Sequence, residues 1–157
     1  MKKIFRLIFS LVICQLAGLA GSLVTTPAIS TWYSSLNKPS FNPPNWLFAP
    51  VWTALYFLMG ASLYLVWSKG LKDKKVRTAL FLFVLQLILN ILWSFLFFGL
   101  RSPFLAFIEI VVLWAAIFVT MLNFLKISKP AGFLLLPYLL WVSFASLLNF
   151  FIFRLNG

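Results

Sequence analysis

The chain has 157 residues, 63% hydrophobic and only 10% charged, a balance that excludes a water-soluble globular domain and requires an integral membrane protein. Its formal charge of +11 does not signal a nucleic-acid partner: the thirteen lysines and arginines sit at the ends of apolar runs, where cations meet lipid headgroups and set orientation. With no histidine and two carboxylates, Asp73 and Glu109, near opposite membrane faces, the chain cannot build a Ser-His-Asp relay, a paired-carboxylate hydrolase or a histidine-held metal or haem.

Five apolar runs, near residues 4–25, 46–68, 78–100, 103–125 and 131–153, each approach the ~20 residues a helix needs to cross hydrocarbon. They predict one all-α membrane domain, residues 1–157, built as a five-helix bundle. The links Lys69–Arg77, Arg101–Pro103 and Lys126–Pro130 are short, so consecutive spans are expected to run antiparallel as up-down neighbours.

The first run follows Lys2, Lys3 and Arg6 and contains Ala17-Gly18-Leu19-Ala20-Gly21, features shared with a cleaved signal. Its apolar stretch continues to Val24, which favours a retained span. Gln15, Gly18, Ser22 and Thr25 lie on one helical face. The pairs Ala17/Gly21 and Gly18/Ser22 permit close helix approach, within one protomer or between two.

Between the first two spans lies a proline- and aromatic-rich loop, Trp32 to Pro44. Pro39, Pro43, Pro44 and, just past it, Pro50 are expected to keep the backbone from helix over much of this stretch, while Trp32, Tyr33, Phe41 and Trp46 give it apolar area to bury. It reads equally as a cap on helix ends or as a lid over a bound molecule.

Polar and aromatic residues inside the other spans also fall in stripes. Trp52, Tyr56 and Met59 line the second; Gln86, Asn90, Trp93 and Phe97 the third; Tyr138, Trp141, Ala145 and Asn149 the fifth. An amide in hydrocarbon is costly unless paired, so these faces should turn inward. Together they would enclose a cavity with aromatic walls and a few hydrogen-bonding groups, suited to a large, flat, apolar ligand. Helix packing accounts for Trp52, Trp93 and Trp141 equally well, and Trp32, Trp46, Trp67 and Trp114 fit an interfacial belt. Glu109 is the only acid within a span, which makes it a functional candidate; interfacial reach or a hydrogen bond from a neighbouring helix are the alternatives. Pro50 and Pro137 should kink their helices.

The charge pattern predicts orientation. Lys2, Lys3, Arg6, Lys69, Lys72, Lys74, Lys75, Arg77, Lys126 and Lys129 share one side, against Lys38, Arg101 and Arg154 on the other. The positive-inside rule puts the N-terminus in the cytoplasm and the C-terminus and the long loop outside a cell membrane.

The ordered motifs WYSSLNKPSFNPPNW (Trp32 to Trp46), PVWTALY (Pro50 to Tyr56) with Met59-Gly60, QLILNILWS (Gln86 to Ser94) and PYLLW (Pro137 to Trp141), with Phe144-Ala145 and Leu148-Asn149, resemble the translocator protein family, also called tryptophan-rich sensory proteins or peripheral-type benzodiazepine receptors. The short C-terminal tail is similar to that of bacterial members. The resemblance implies a receptor or sensor whose pocket, under the first loop, binds tetrapyrroles such as protoporphyrin IX and isoquinoline-carboxamide drugs. It carries pocket positions to Tyr33, Trp52, Asn90, Trp93, Trp141 and Ala145; the stripes add Ser22, Tyr56, Gln86 and Tyr138. It also implies light- and oxygen-dependent breakdown of protoporphyrin IX at Trp52 and Trp141 without any bound cofactor, and a homodimer. Cholesterol, a ligand of mitochondrial members, is argued against: Leu148 to Arg154 offers phenylalanines where their recognition pattern needs a tyrosine. A transporter of hydrophobic molecules is the alternative.

Overall fold

The computed structural model describes residues 2–157; Met1, the first residue of the expected domain, lies outside them. Helices α1 (Lys2–Ile29), α2 (Asn45–Trp67), α3 (Lys74–Ser94), α4 (Pro103–Ile127), α5 (Lys129–Leu134) and α6 (Leu136–Asn156) account for most of it, with no strand among the described residues. They make five membrane-length crossings, the last formed jointly by α5 and α6. The protein is therefore an all-α, multi-pass membrane bundle, as its composition requires.

Capping follows local chemistry. Asp73 accepts a hydrogen bond from the Lys75 amide at the start of α3, and Ser102 accepts one from the Leu105 amide ahead of Pro103 in α4. Pro50 and Pro27 sit inside α2 and α1 without interrupting them. Pro137 does more than kink the fifth span. It has no N–H to donate and its ring crowds the carbonyl of Phe133, so the crossing breaks at Leu135 into two helices.

Neighbours differ in one respect from the up-down expectation. α1 packs along α2, α3 along α4, and α4 along the fifth crossing, but α3 leans on α1 more than on α2, and α2 closes the ring against α5. The small residues of α1 explain this. A Cβ at Gly18 would stand 2.7 Å from the Tyr56 ring, and one at Gly21 would stand 3.0 Å from Ser94 Oγ, so α1 accepts α2 on one side and α3 on the other. These small residues are thus used within the protomer. A Cβ at Gly60 would meet the Leu11 backbone at 2.8 Å, which marks the closest crossing of α1 and α2. The space left between α2 and α3 is bridged by side chains.

Candidate functional site

From the level of Gln15 and Gly18 toward the long loop, past the Gly60 crossing, the bundle encloses a cavity of about 400 Å³. Its walls come from α1, α2, α3, α6 and the turn after α3. Phe48 and Trp52 of α2, Trp93 of α3 and Trp141 of α6 supply aromatic surface. Trp52 lies tilted over Tyr56 at 5.6 Å and edge-on to Trp141 at 6.5 Å; Phe48 meets Trp141 at 6.2 Å.

Four side chains from three helices tie the floor together. The Tyr56 hydroxyl donates to Asn90 Oδ1 at 2.5 Å, Asn90 Nδ2 donates to the Tyr138 hydroxyl at 2.7 Å, and that hydroxyl donates to Gln86 Oε1 at 2.7 Å. Each group satisfies the next in a place where water cannot. Higher up, Trp93 Nε1 donates to Asn149 Oδ1 at 3.0 Å, and Asn149 Nδ2 donates to the Pro103 carbonyl at 2.9 Å. Two donors are left over, Gln86 Nε2 behind the floor and Trp141 Nε1 at the wall; both are buried and have no partner among the described residues.

The turn after α3 contributes two wall residues in succession. Phe95–Gly99 is a π-helical turn, closed by the Leu100 amide on the Phe95 carbonyl at 2.8 Å. Its wider spiral brings both Phe97 and Phe98 to the cavity, with Phe97 stacked on Trp93 at 5.0 Å.

The long loop covers the cavity's outer end. Tyr33 is 3% exposed, its hydroxyl donates to Asn42 Oδ1 at 3.0 Å, and Lys38 Nζ sits 4.7 Å over its ring. Burial pushes the Tyr33 hydroxyl up to about 12, against a smaller lowering by the Asn42 hydrogen bond. Trp32 stands edge-on to Phe97 at 5.5 Å, and Phe41 to Phe151 at 5.6 Å. Asn156 of α6 clamps the loop by donating to the Asn37 carbonyl at 2.8 Å and accepting from the Asn37 amide at 2.9 Å. The loop is thus packed both as a cap on helix ends and as a cover over the cavity.

One flank stays open. The exposed lining residues, Leu19 and Thr26 on α1 and Asn45, Ala49 and Thr53 on α2, all face the seam between those helices, whereas the linings from α3 and α6 are buried or half-buried. Gln15 Nε2 closes the inner end of the seam by donating to the Thr53 carbonyl at 3.1 Å.

The sequence-predicted residues Ser22, Tyr33, Trp52, Tyr56, Asn90, Trp93, Trp141 and Ala145 line this one cavity. Gln86 and Tyr138 do not. They are 1% and 0% exposed and stand behind Asn90 as its support. Phe48 and Phe98 are wall residues that the stripes omit. Phe48 precedes Trp52 by four residues, so extending the second stripe back one turn finds it; no periodic signal finds Phe98. Trp114 donates to Ser143 Oγ at 2.7 Å and holds α4 to α6, a packing role. Glu109 is 8% exposed on α4 with neither oxygen hydrogen-bonded among the described residues, so it neither reaches the interface nor takes a bond from a neighbouring helix.

Comparison with known proteins agrees with the geometry. The TspO/MBR family model matches residues 10–155. The Tryptophan-rich protein TspO of Chlorobaculum tepidum is 49% identical over 155 residues, covering 99% of this chain and 98% of that one. The protein of the same name from Archaeoglobus fulgidus is 46% identical over 156 residues, covering 99% of each. The Translocator protein of Homo sapiens is 39% identical over 127 residues, covering 80% of this chain and 75% of that one. With its motifs in order, its five crossings and relatives nearly half identical from end to end, the chain belongs to the TspO/MBR family.

Proposed function

We propose that this protein is a membrane receptor for flat, hydrophobic ligands, with tetrapyrroles such as protoporphyrin IX, and isoquinoline-carboxamide-type drugs, as the class it takes into the loop-covered cavity. The observation that carries the reading is the pairing of aromatic walls with Trp141 Nε1, the one buried donor left unpaired among the residues that line the cavity, over a floor tied together by the Tyr56–Asn90–Tyr138 hydrogen bonds. A ligand slides its apolar faces between Trp52, Trp93 and Phe97 and presents a carbonyl or carboxylate to Trp141. Each well-placed ring pair adds on the order of 1 kcal/mol beyond area burial, so several rings together retain a ligand that bilayer lipid would otherwise dissolve. Ser22, Tyr33 and Ala145 shape the remaining wall, while Gln86 and Tyr138 hold Asn90 and Tyr56 in register.

We further propose that Trp52 and Trp141 promote light- and oxygen-dependent breakdown of bound protoporphyrin IX, since their indoles would lie against the macrocycle. The long loop faces outward across the cell membrane, consistent with the basic residues gathered at the opposite helix ends. The test uses reconstituted protein titrated with protoporphyrin IX, followed by tryptophan quenching, then illuminated in air. Wild type should bind and bleach the pigment. Trp141→Phe should bind about tenfold more weakly for loss of the buried donor, and Trp52→Phe should bind but bleach slowly. Absence of saturable quenching overturns the receptor reading; equal bleaching by wild type and both variants overturns the breakdown.

The open α1/α2 seam supports a second reading, a carrier of hydrophobic molecules. Porphyrin flux into sealed liposomes above that of protein-free vesicles decides for it.

A further inference from the structure

On the far side of Trp32 from the main cavity lies a second hollow of about 290 Å³. Trp32 and Leu36 of the loop, Arg101 and Ser102 of the α3–α4 turn, and Phe104 and Phe153 form its sides. We propose that this hollow is a binding site for the phosphate of a membrane phospholipid in the loop-side leaflet, with Arg101 as its anion-binding group.

Three observations support the assignment. The first is that Arg101 is the one cation lining the hollow and has no internal task, in common with Arg154 and most lysines and in contrast to three cations engaged within the protein. Arg77 donates to the Leu71 and Lys72 carbonyls, Arg6 lies over the Trp67 ring at 5.5 Å, and Lys38 lies over Tyr33. Arg101 is exposed, at the rim of the hollow, and shows no hydrogen bond or ion pair among the described residues. The second is its backbone. Arg101 has φ of 53°, the only non-glycine residue with positive φ among those described. An arginine at such a position is an uncommon choice, since Gly or Asn would be less strained. The third is the wall opposite. Phe104 and Phe153 pair at 5.4 Å, with Phe104 half exposed, so the hollow sets a cation beside an apolar surface at the loop-side helix ends. A guanidinium beside an apolar surface matches a phospholipid, whose phosphate takes a forked pair of hydrogen bonds while its acyl chain lies on the rings. The site is separate from the main cavity, and the inference stands whatever that cavity binds. Because Trp32 and Leu36 border the hollow, a lipid seated there would also brace the loop.

The test is native mass spectrometry of the full chain extracted from vesicles of phosphatidylcholine with phosphatidylglycerol. Arg101→Asn removes the charge while keeping a residue that tolerates left-handed backbone, and Arg154→Asn removes a cation from the same side outside the hollow. Wild type and Arg154→Asn should retain phospholipid, Arg101→Asn about tenfold less, and Arg101→Lys an intermediate amount. Equal retention in Arg101→Asn and wild type, or equal loss in Arg154→Asn, overturns the proposal. A parallel arm adds inorganic phosphate to delipidated protein. Arg101-dependent stabilisation by phosphate without lipid retention in the first arm assigns the site to a soluble anion and overturns the lipid assignment.

Discussion

Tyr138→Phe isolates the energetic worth of the cavity floor. The ring is fully buried and keeps its edge contact with Trp52 at 6.4 Å, so the substitution removes one oxygen and little else. That oxygen accepts from Asn90 and donates to Gln86, each at 2.7 Å. Interhelical hydrogen bonds in membranes average about 0.6 kcal/mol and reach about 1.7. Two of them, plus the unpaired amide left on Gln86, whose Nε2 already lacks a partner, come to about 2 kcal/mol. For a chain of this size that lowers the thermal midpoint by roughly 4–8 °C. The assay is thermal unfolding in bilayer nanodiscs, run as a double-mutant cycle with Gln86→Leu. In wild type Gln86→Leu should destabilise; in Tyr138→Phe it should stabilise, because leucine replaces an amide with nothing to bond. A midpoint within 1 °C of wild type for Tyr138→Phe, or strict additivity in the cycle, would refute the claim that the chain acts as a unit.

Gly60→Ala should cost about 3 kcal/mol and lower the yield of monodisperse protein, because its Cβ meets Leu11 backbone that cannot rotate away; a midpoint equal to wild type would show the crossing to be loose. Glu109→Met should hold or raise the midpoint by about 1 kcal/mol, since it exchanges an unpartnered carboxyl for an apolar side chain of similar length. A clear loss of stability would mean that Glu109 has a partner. Tyr33 binds its proton more tightly folded than unfolded, so its contribution to loop docking is intact below pH 10 and fades as pH rises toward 12. Tyrosinate absorbance, compared between wild type and Tyr33→Phe, should show a residue that ionises near pH 12, and ionisation near pH 10 would mean the loop is not packed.

Much of the cavity is legible in the sequence because helical periodicity is local. Asn90, Trp93 and Phe97 share a face whatever surrounds them, and hydrocarbon leaves an amide no option but to turn inward. Depth along the face is a different matter. Gln86 and Tyr138 lie on the same stripes as Asn90 and Trp141 but end up behind the floor, since which turn of a stripe meets the hollow depends on where helices cross. That is set by Gly18 and Gly60, whose role shows only once their neighbours are known. Phe98 is missed because a π-helical turn breaks the 3.6-residue rule used to read the stripe. Helix order around the ring is likewise hidden: chain connectivity favours α2 beside α3, while the small residues of α1 draw α3 to themselves.

The open seam between α1 and α2 has a practical consequence for measuring affinity. A guest entering there leaves oil rather than buffer, so its chemical potential is set by its mole fraction in the bilayer. Dissociation constants quoted per volume of solution will drift with the amount of lipid in the assay. Quoted per mole of lipid, they should coincide across preparations, and two ligands differing only in oiliness should then rank by fit to the aromatic walls alone.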